Sequence, residues 1–430
     1  VFVMIKQLLI LSFLTNFLGV PVGIAGVVTT SILLFDIITD PLVGYFSDRT
    51  NSRWGRRTPW MFLGAVVLAI GVVGIFGVPT KFDLYGNLIW VSFFFVVATL
   101  GFTMVAIPYG ASAGEITQIP SERSTITGFR MVFASIGILL GGAAIPILAG
   151  GSREGYFFAA IIVAPIIILT IWSSIWLTRD TPKIKLPTNK NAVQIIKLAC
   201  KNTPFVILVL LYGVMTLAVA LITAGLPFAA IYLILDEGDT YLSDAAANLG
   251  ILSLMFVCFV VGSILSQAFW VWLSRNIGKL WSLISGLILY VILLYFIYLA
   301  LPSKDVTLSA ALFILAGITN GAYQQIPWAM YPDLMDITRN RTGAAIEGAF
   351  SAIWLLGQKA ANAIAPGLLG LILSTSGWSE TKEVVIDQSE QALSALKFSI
   401  TLLPALIMTI AIIGLVFVYR QSFNKFLVDN

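Results

Sequence analysis

Histidine is absent from this 430-residue chain, cysteine occurs only at Cys200 and Cys258, and charged side chains amount to just 11% of the residues. Each scarcity removes a class of function. Without histidine, a zinc centre or a histidine-based catalytic triad loses its usual ligand or base, and two cysteines cannot build a disulfide framework. No glycine-rich phosphate-cradling loop is present either. The sequence therefore predicts no enzyme and no cofactor. Soluble domains carry roughly 25% charged residues, so a water-soluble fold is excluded as well.

What fills the chain is apolar: 58% of residues are hydrophobic. They gather into runs at about 1–18, 22–47, 58–79, 87–113, 124–149, 156–178, 204–235, 245–273, 280–301, 307–332, 343–374 and 392–420. A helix of about 20 apolar residues crosses a bilayer core of about 30 Å, so these runs predict twelve transmembrane helices. The first run opens on Val1, so its helix is expected to begin upstream. The lipid bilayer is the expected partner, and a monomer is expected. The net charge of +4 gives no nucleic-acid surface, because the basic residues fall in short loops between apolar runs.

Those loops set orientation. On one side lie Arg49, Arg53, Arg56, Arg57, Arg123, Arg179, Lys183, Lys185, Lys190, Lys197, Lys201, Arg275, Lys279, Arg339, Arg341, Arg420 and Lys425; the other side holds only Lys81, Arg153, Lys304, Lys382 and Lys397. The positive-inside rule makes the richer side cytoplasmic, along with both chain ends. The longest basic loop divides the chain into an N-terminal six-helix bundle at 1–178, a cytoplasmic linker at 179–203 and a C-terminal six-helix bundle at 204–430. A weak internal repeat agrees. Ile107-Pro108-Tyr109, Glu115 and Arg123-Ser124 recur as Ile326-Pro327-Trp328, Asp333 and Arg341-Thr342, and Tyr45-Phe46-Ser47-Asp48-Arg49 has an echo in Trp272-Leu273-Ser274-Arg275. Two related six-helix halves around a mid-membrane site are the plan of the major facilitator transporters, an all-α membrane fold of two pseudo-symmetric bundles.

Few charges lie inside apolar runs: Lys6, Asp36, Asp40, Arg130, Glu347 and Lys359. A charge at mid-bilayer costs about 2.5–3.5 kcal/mol even on insertion scales, so such residues mark interior pathways. Asp36 and Asp40 are four residues apart and share one helix face. Two adjacent carboxylates in a low dielectric need a cation or a proton, which predicts a site for Na⁺, Li⁺ or H⁺ as coupling ion, with Thr39 and Thr103 as further oxygen ligands. Lys359 sits too deep to snorkel and is expected to neutralise the acidic pair when the cation is absent, or else to bridge the halves structurally. The planar donors of Arg130 suit substrate hydroxyls or an anionic group, or else reach the cytoplasmic interface. Glu347 reads as structural. Asp48, Arg49, Arg53 and Arg56 form a loop that either gates the cytoplasmic face through ion pairs or only anchors it.

Several of these segments resemble one family. Phe35-Asp36-Ile37-Ile38-Thr39-Asp40-Pro41-Leu42-Val43-Gly44, followed by Ser47-Asp48-Arg49-Thr50 and Ser52-Arg53-Trp54-Gly55-Arg56-Arg57-Thr58-Pro59-Trp60, resembles the helix 2/3 signature of the glycoside-pentoside-hexuronide:cation symporters, which include the melibiose carriers. Ile107-Pro108-Tyr109-Gly110 with Glu115-Ile116-Thr117, the stretch from Arg123 to Arg130, and Pro332-Asp333-Leu334-Met335-Asp336 through Glu347-Gly348 to Lys359 extend the likeness over nearly the whole chain. The resemblance implies cation-coupled symport of a sugar, glycoside or related small solute by alternating access, in a bacterial inner membrane. It implies cation binding by Asp36, Asp40 and Thr103, coupling through Lys359, and substrate contacts from Arg130, Tyr109 and Trp354. Two positions depart from the melibiose carriers: Ala106 replaces an acidic sugar ligand and Gly110 a stacking tryptophan. The chain also resembles the sodium-dependent lysophosphatidylcholine symporters, through the acidic pair, Thr127-Gly128-Phe129-Arg130-Met131 and the helix-eleven lysine. An amphiphile is thus the alternative substrate.

Overall fold

The structure is a computed structural model that describes residues 1–55, 57–116, 133–134, 136–179, 197, 199–342, 347–380 and 386–428. Within them the chain is helical: α1 Phe2–Phe17, α2 Val22–Arg49, α3 Thr58–Phe76, α4 Leu84–Ile116, α5 Ile136–Ala149 and α6 Arg153–Leu177, then α7 Thr203–Tyr232, α8 Ile251–Ile277, α9 Lys279–Ala300, α10 Val306–Thr342, α11 Glu347–Thr375 and α12 Glu390–Phe426. A short helix, Ser243–Leu249, precedes α8. Extended pairing among the described residues is limited to an isolated bridge between Ile234 and Ser303. Nine of the described helices are long and apolar enough to cross a membrane; α1 and α5 are shorter apolar helices.

The chain forms two compact units, Val1–Pro187 with Ser379–Ile386, and Thr188–Trp378 with Asp387–Asn430. Most of the expected linker at 179–203 lies outside the described residues. Helices here do not bury one stripe and wet the other. Large apolar side chains such as Ile89 on α4 and Leu265 on α8 stay 69% and 71% exposed, a surface that suits hydrocarbon rather than water. The polar faces turn inward instead, where Thr15, Thr29, Thr99, Thr103, Thr216 and Asn320 are buried.

Close approach of backbones holds each unit together, since lipid offers no hydrophobic drive and van der Waals contact between small residues takes over. A Cβ at Gly71 of α3 would strike the backbone of Ala98 on α4, and a Cβ at Gly317 of α10 would strike the Phe259 carbonyl on α8. Caps supply the helix ends. Asn202 accepts from the Phe205 amide at the start of α7 and donates to Leu334 and Thr338 of α10, at 3.1 and 2.8 Å. Ser152 accepts from the Gly155 amide at the start of α6.

Apolar runs locate these helices but not their ends. The tenth run stops at 332, whereas α10 continues through Pro327 and Pro332 to Thr342. The polar turns beyond Pro332 carry no hydropathy signal. They are held by contacts such as that of Asp333, whose Oδ2 lies 2.6 Å from Lys279 Nζ at the start of α9.

Candidate functional site

The candidate site forms inside the first unit from three helices. Asp36 and Asp40 stand one turn apart on α2, and Asp36 is only 1% exposed. Thr103 of α4, fully buried, directs its hydroxyl between them. Its Oγ1 lies 2.8 Å from Asp36 Oδ1 and 3.3 Å from Asp40 Oδ1. The expected link between the acidic pair and this threonine is therefore a direct contact. Thr39 behaves differently, since its hydroxyl donates to the Asp36 backbone carbonyl at 3.0 Å. Pro41, next to Asp40, has no N–H to offer the Ile37 carbonyl, so a further backbone oxygen beside the carboxylates lacks its helical donor.

Within the first unit, Lys6 brings an ammonium to this site. Lys6 Nζ lies 2.9 Å from Asp36 Oδ2, and both side chains are buried. The same Nζ stands 5.0 Å from the Phe102 ring centroid and 5.7 Å from that of Phe2. Lys6 sits within a wide π-type turn, Ile5–Leu9, and a second such turn follows at Phe13–Phe17. Turns of this kind are frequent at functional positions.

Sequence reading also passed over Thr99. It is fully buried one turn before Thr103, and its hydroxyl has no hydrogen-bond partner among the described residues. Helical spacing puts Thr99, Thr103, Ala106 and Gly110 along one stripe of α4. The stripe turns apolar and open toward its end, where Gly110 is exposed and a Cβ there would meet nothing within 4 Å among the described residues. Tyr109, half-buried, adjoins that end.

Arg130, Arg56 and the Asp48 side chain lie outside the described residues. Arg49 is exposed and stacks on Tyr45, its guanidinium carbon 3.7 Å from the ring centroid. Arg53 is exposed in the turn between α2 and α3. That turn depends on Gly55, whose φ of +93° an L side chain rarely adopts, and on Trp60, which donates to Thr50 at 2.7 Å.

Lys359 is half-buried on α11 in the second unit, and Gly357 just before it lets that helix approach Val209 of α7. Trp354, expected beside the substrate, is 0% exposed, with one ring face covered by Tyr212 (centroids 4.3 Å apart, 12° between planes) and a stacked contact with Tyr331 (4.9 Å, 22°). Trp328 donates to the Tyr212 hydroxyl at 3.0 Å, completing an aromatic cluster. In this structure Trp354 is thus a packed core residue.

The fold and this buried acid–base cluster define a multi-span integral membrane transporter. Residues 1–421 match the family described as MFS/sugar transport protein, and the chain belongs to that family. It is 25% identical over 400 residues to the putative glycoside/cation symporter YagG of Escherichia coli (strain K12), covering 92% of this chain and 83% of that one. It is 23% identical over 446 residues to the sodium-dependent lysophosphatidylcholine symporter 1 of Xenopus tropicalis, covering 93% and 81%. Among solved structures, the inward-facing, unoccupied form of a bacterial homologue of the human lysosomal transporter Spinster aligns with a TM-score of 0.66 at 16% identity, over 99% of this chain and 93% of that one. This likeness concerns the major facilitator fold alone.

Proposed function

We propose that the protein is a cation-coupled symporter of a glycoside, sugar or related small solute, with Asp36, Asp40 and Thr103 as the cation site. The observation that carries this reading is the bridging of both carboxylates by one buried hydroxyl, at 2.8 and 3.3 Å. Carboxylate, hydroxyl and freed carbonyl oxygens are the donor set of a hard cation. Na⁺, Li⁺ and H⁺ all fit that chemistry. The names of relatives such as YagG support a glycoside and a cation.

Binding of cation and solute would then favour exchange between inward- and outward-open states. Lys359 is assigned to coupling, Arg130, Tyr109 and Trp354 to the substrate, and Asp48, Arg49, Arg53 and Arg56 to the cytoplasmic gate. Both termini are placed in the cytoplasm, and the membrane is taken as a bacterial inner membrane. The test is a thermal-shift screen of the purified protein against sugars, glycosides, uronates and lysolipids with and without Na⁺, followed by uptake of the stabilising solute into proteoliposomes under Na⁺, Li⁺ or proton gradients. Failure of every solute to cross sealed vesicles would count against transport.

One feature favours a second reading. Ala106 and the open space at Gly110 remove polar grip from the α4 stripe below the cation site, which suits an amphiphile such as a lysophospholipid. Stabilisation by lysolipid and not by any glycoside would select this alternative.

A further inference from the structure

We infer that Lys6 is a tethered competitor for the cation site: its ammonium holds the place at Asp36 that the transported cation must take, and it yields by withdrawing toward the Phe2 and Phe102 rings. This rests on the cation-coupled reading of Asp36 and Asp40.

Geometry supplies the first support. Asp36 Oδ1 accepts from Thr103 and Oδ2 faces Lys6 at 2.9 Å. An incoming cation that used Oδ2 would meet the lysine ammonium at contact distance. Like charges that close in a buried site exclude one another, so occupancy by the two is alternative rather than joint.

The second support is a place for the displaced group. A bare ammonium cannot simply be released into an apolar interior. The rings of Phe102 and Phe2 lie 5.0 and 5.7 Å from Nζ, already within cation–π range, and face the ammonium from α4 and from the start of α1. A short swing about the lysine stem exchanges a carboxylate partner for an aromatic one.

The third is backbone. Lys6 belongs to the π-type turn Ile5–Leu9. A π-type turn carries one residue more than the α-helical ladder needs, so its side chains can shift along the helix without breaking neighbouring turns. Cation binding at Asp36 would thereby be conveyed to α1. Specificity follows as well: only a cation that binds the carboxylates more tightly than the tethered ammonium is carried.

The test measures Na⁺ binding by purified protein in detergent, as a Na⁺-dependent thermal shift and as equilibrium binding of radiolabelled sodium, for wild type, Lys6→Met, Lys6→Gln and Lys6→Arg. Removing the competitor should tighten Na⁺ binding about tenfold or more in Lys6→Met and Lys6→Gln, equivalent to about 1.4 kcal/mol, while Lys6→Arg keeps wild-type-like affinity. Two uncharged variants guard against a folding defect in one of them. Na⁺ affinity equal to or weaker than wild type in the folded uncharged variant would overturn the inference. The functional reading is judged separately: it fails if no cation gradient drives wild-type uptake, whatever Lys6 does.

Discussion

Lys6 of α1 and Asp36 of α2, thirty positions apart in the sequence, form a buried ion pair of 2.9 Å, with Thr103 of α4 on the other carboxylate oxygen. Three helices of the first unit thus converge on one carboxyl group. Removing either charge takes this partner from the other, and breaking a buried pair costs about 3–5 kcal/mol. Lys6→Met and Asp36→Asn should each lower the melting temperature, and the double variant should recover most of the loss. Additive losses in the double variant would show that the two groups do not depend on each other.

Thr103 tests the site with little change of shape. Replacing its hydroxyl by a methyl group in Thr103→Val removes a donor to both carboxylates, an effect of about 1–3 kcal/mol. Cation affinity should fall by roughly tenfold or more, while Thr103→Ser should retain wild-type-like binding. Unchanged affinity in Thr103→Val would remove Thr103 from the site.

Trp354 separates packing from substrate contact. Loss of a fully buried tryptophan in Trp354→Ala should cost about 3–5 kcal/mol. Trp354→Phe should stay close to wild type in stability, because the ring still stacks on Tyr212 and the indole N–H has no acceptor among the described residues. A stable Trp354→Phe protein with abolished solute binding would restore the direct substrate role expected from the sequence.

Gly71 and Gly317 test the packing of the two units. Gly71→Val should drive a side chain into the Ala98 backbone and Gly317→Val into the Phe259 carbonyl, with no flexible side chain in the way to yield. Both proteins should lose monodispersity in size-exclusion chromatography. Wild-type behaviour would mean that these helices do not pack as closely as described.

Much of the fold was legible because membrane helices advertise themselves by composition, and the acidic pair because a carboxylate inside an apolar run is costly, although Asp40 beside Pro41 could also have been a cap or a pair near the cytoplasmic end. Thr103 was legible as a possible oxygen ligand, and through the family resemblance as part of the cation site; its bridging of two carboxylates needs the packing of α2 against α4. Lys6 was noticed and left without a role, since the first apolar run opens on Val1 and does not fix how deep the lysine sits. Its partner lies thirty residues away, and no local pattern encodes that distance. Thr99 gave no signal, because one threonine among apolar neighbours is unremarkable until its hydroxyl proves buried without a partner. The packing of Trp354 was not legible either. The family resemblance pointed to a substrate contact there, and only the fold shows Tyr212 and Tyr331 against its ring.

The central claim is that the α2 carboxylates are the cation site that drives transport. Its most direct measurement is solute accumulation in proteoliposomes under imposed Na⁺, Li⁺ or proton gradients, comparing wild type with Asp36→Asn and Asp40→Asn proteins that elute as a single symmetrical peak. At least one gradient should drive accumulation by the wild type, and none should drive it in either variant. Undiminished gradient-driven accumulation in both variants would contradict the claim.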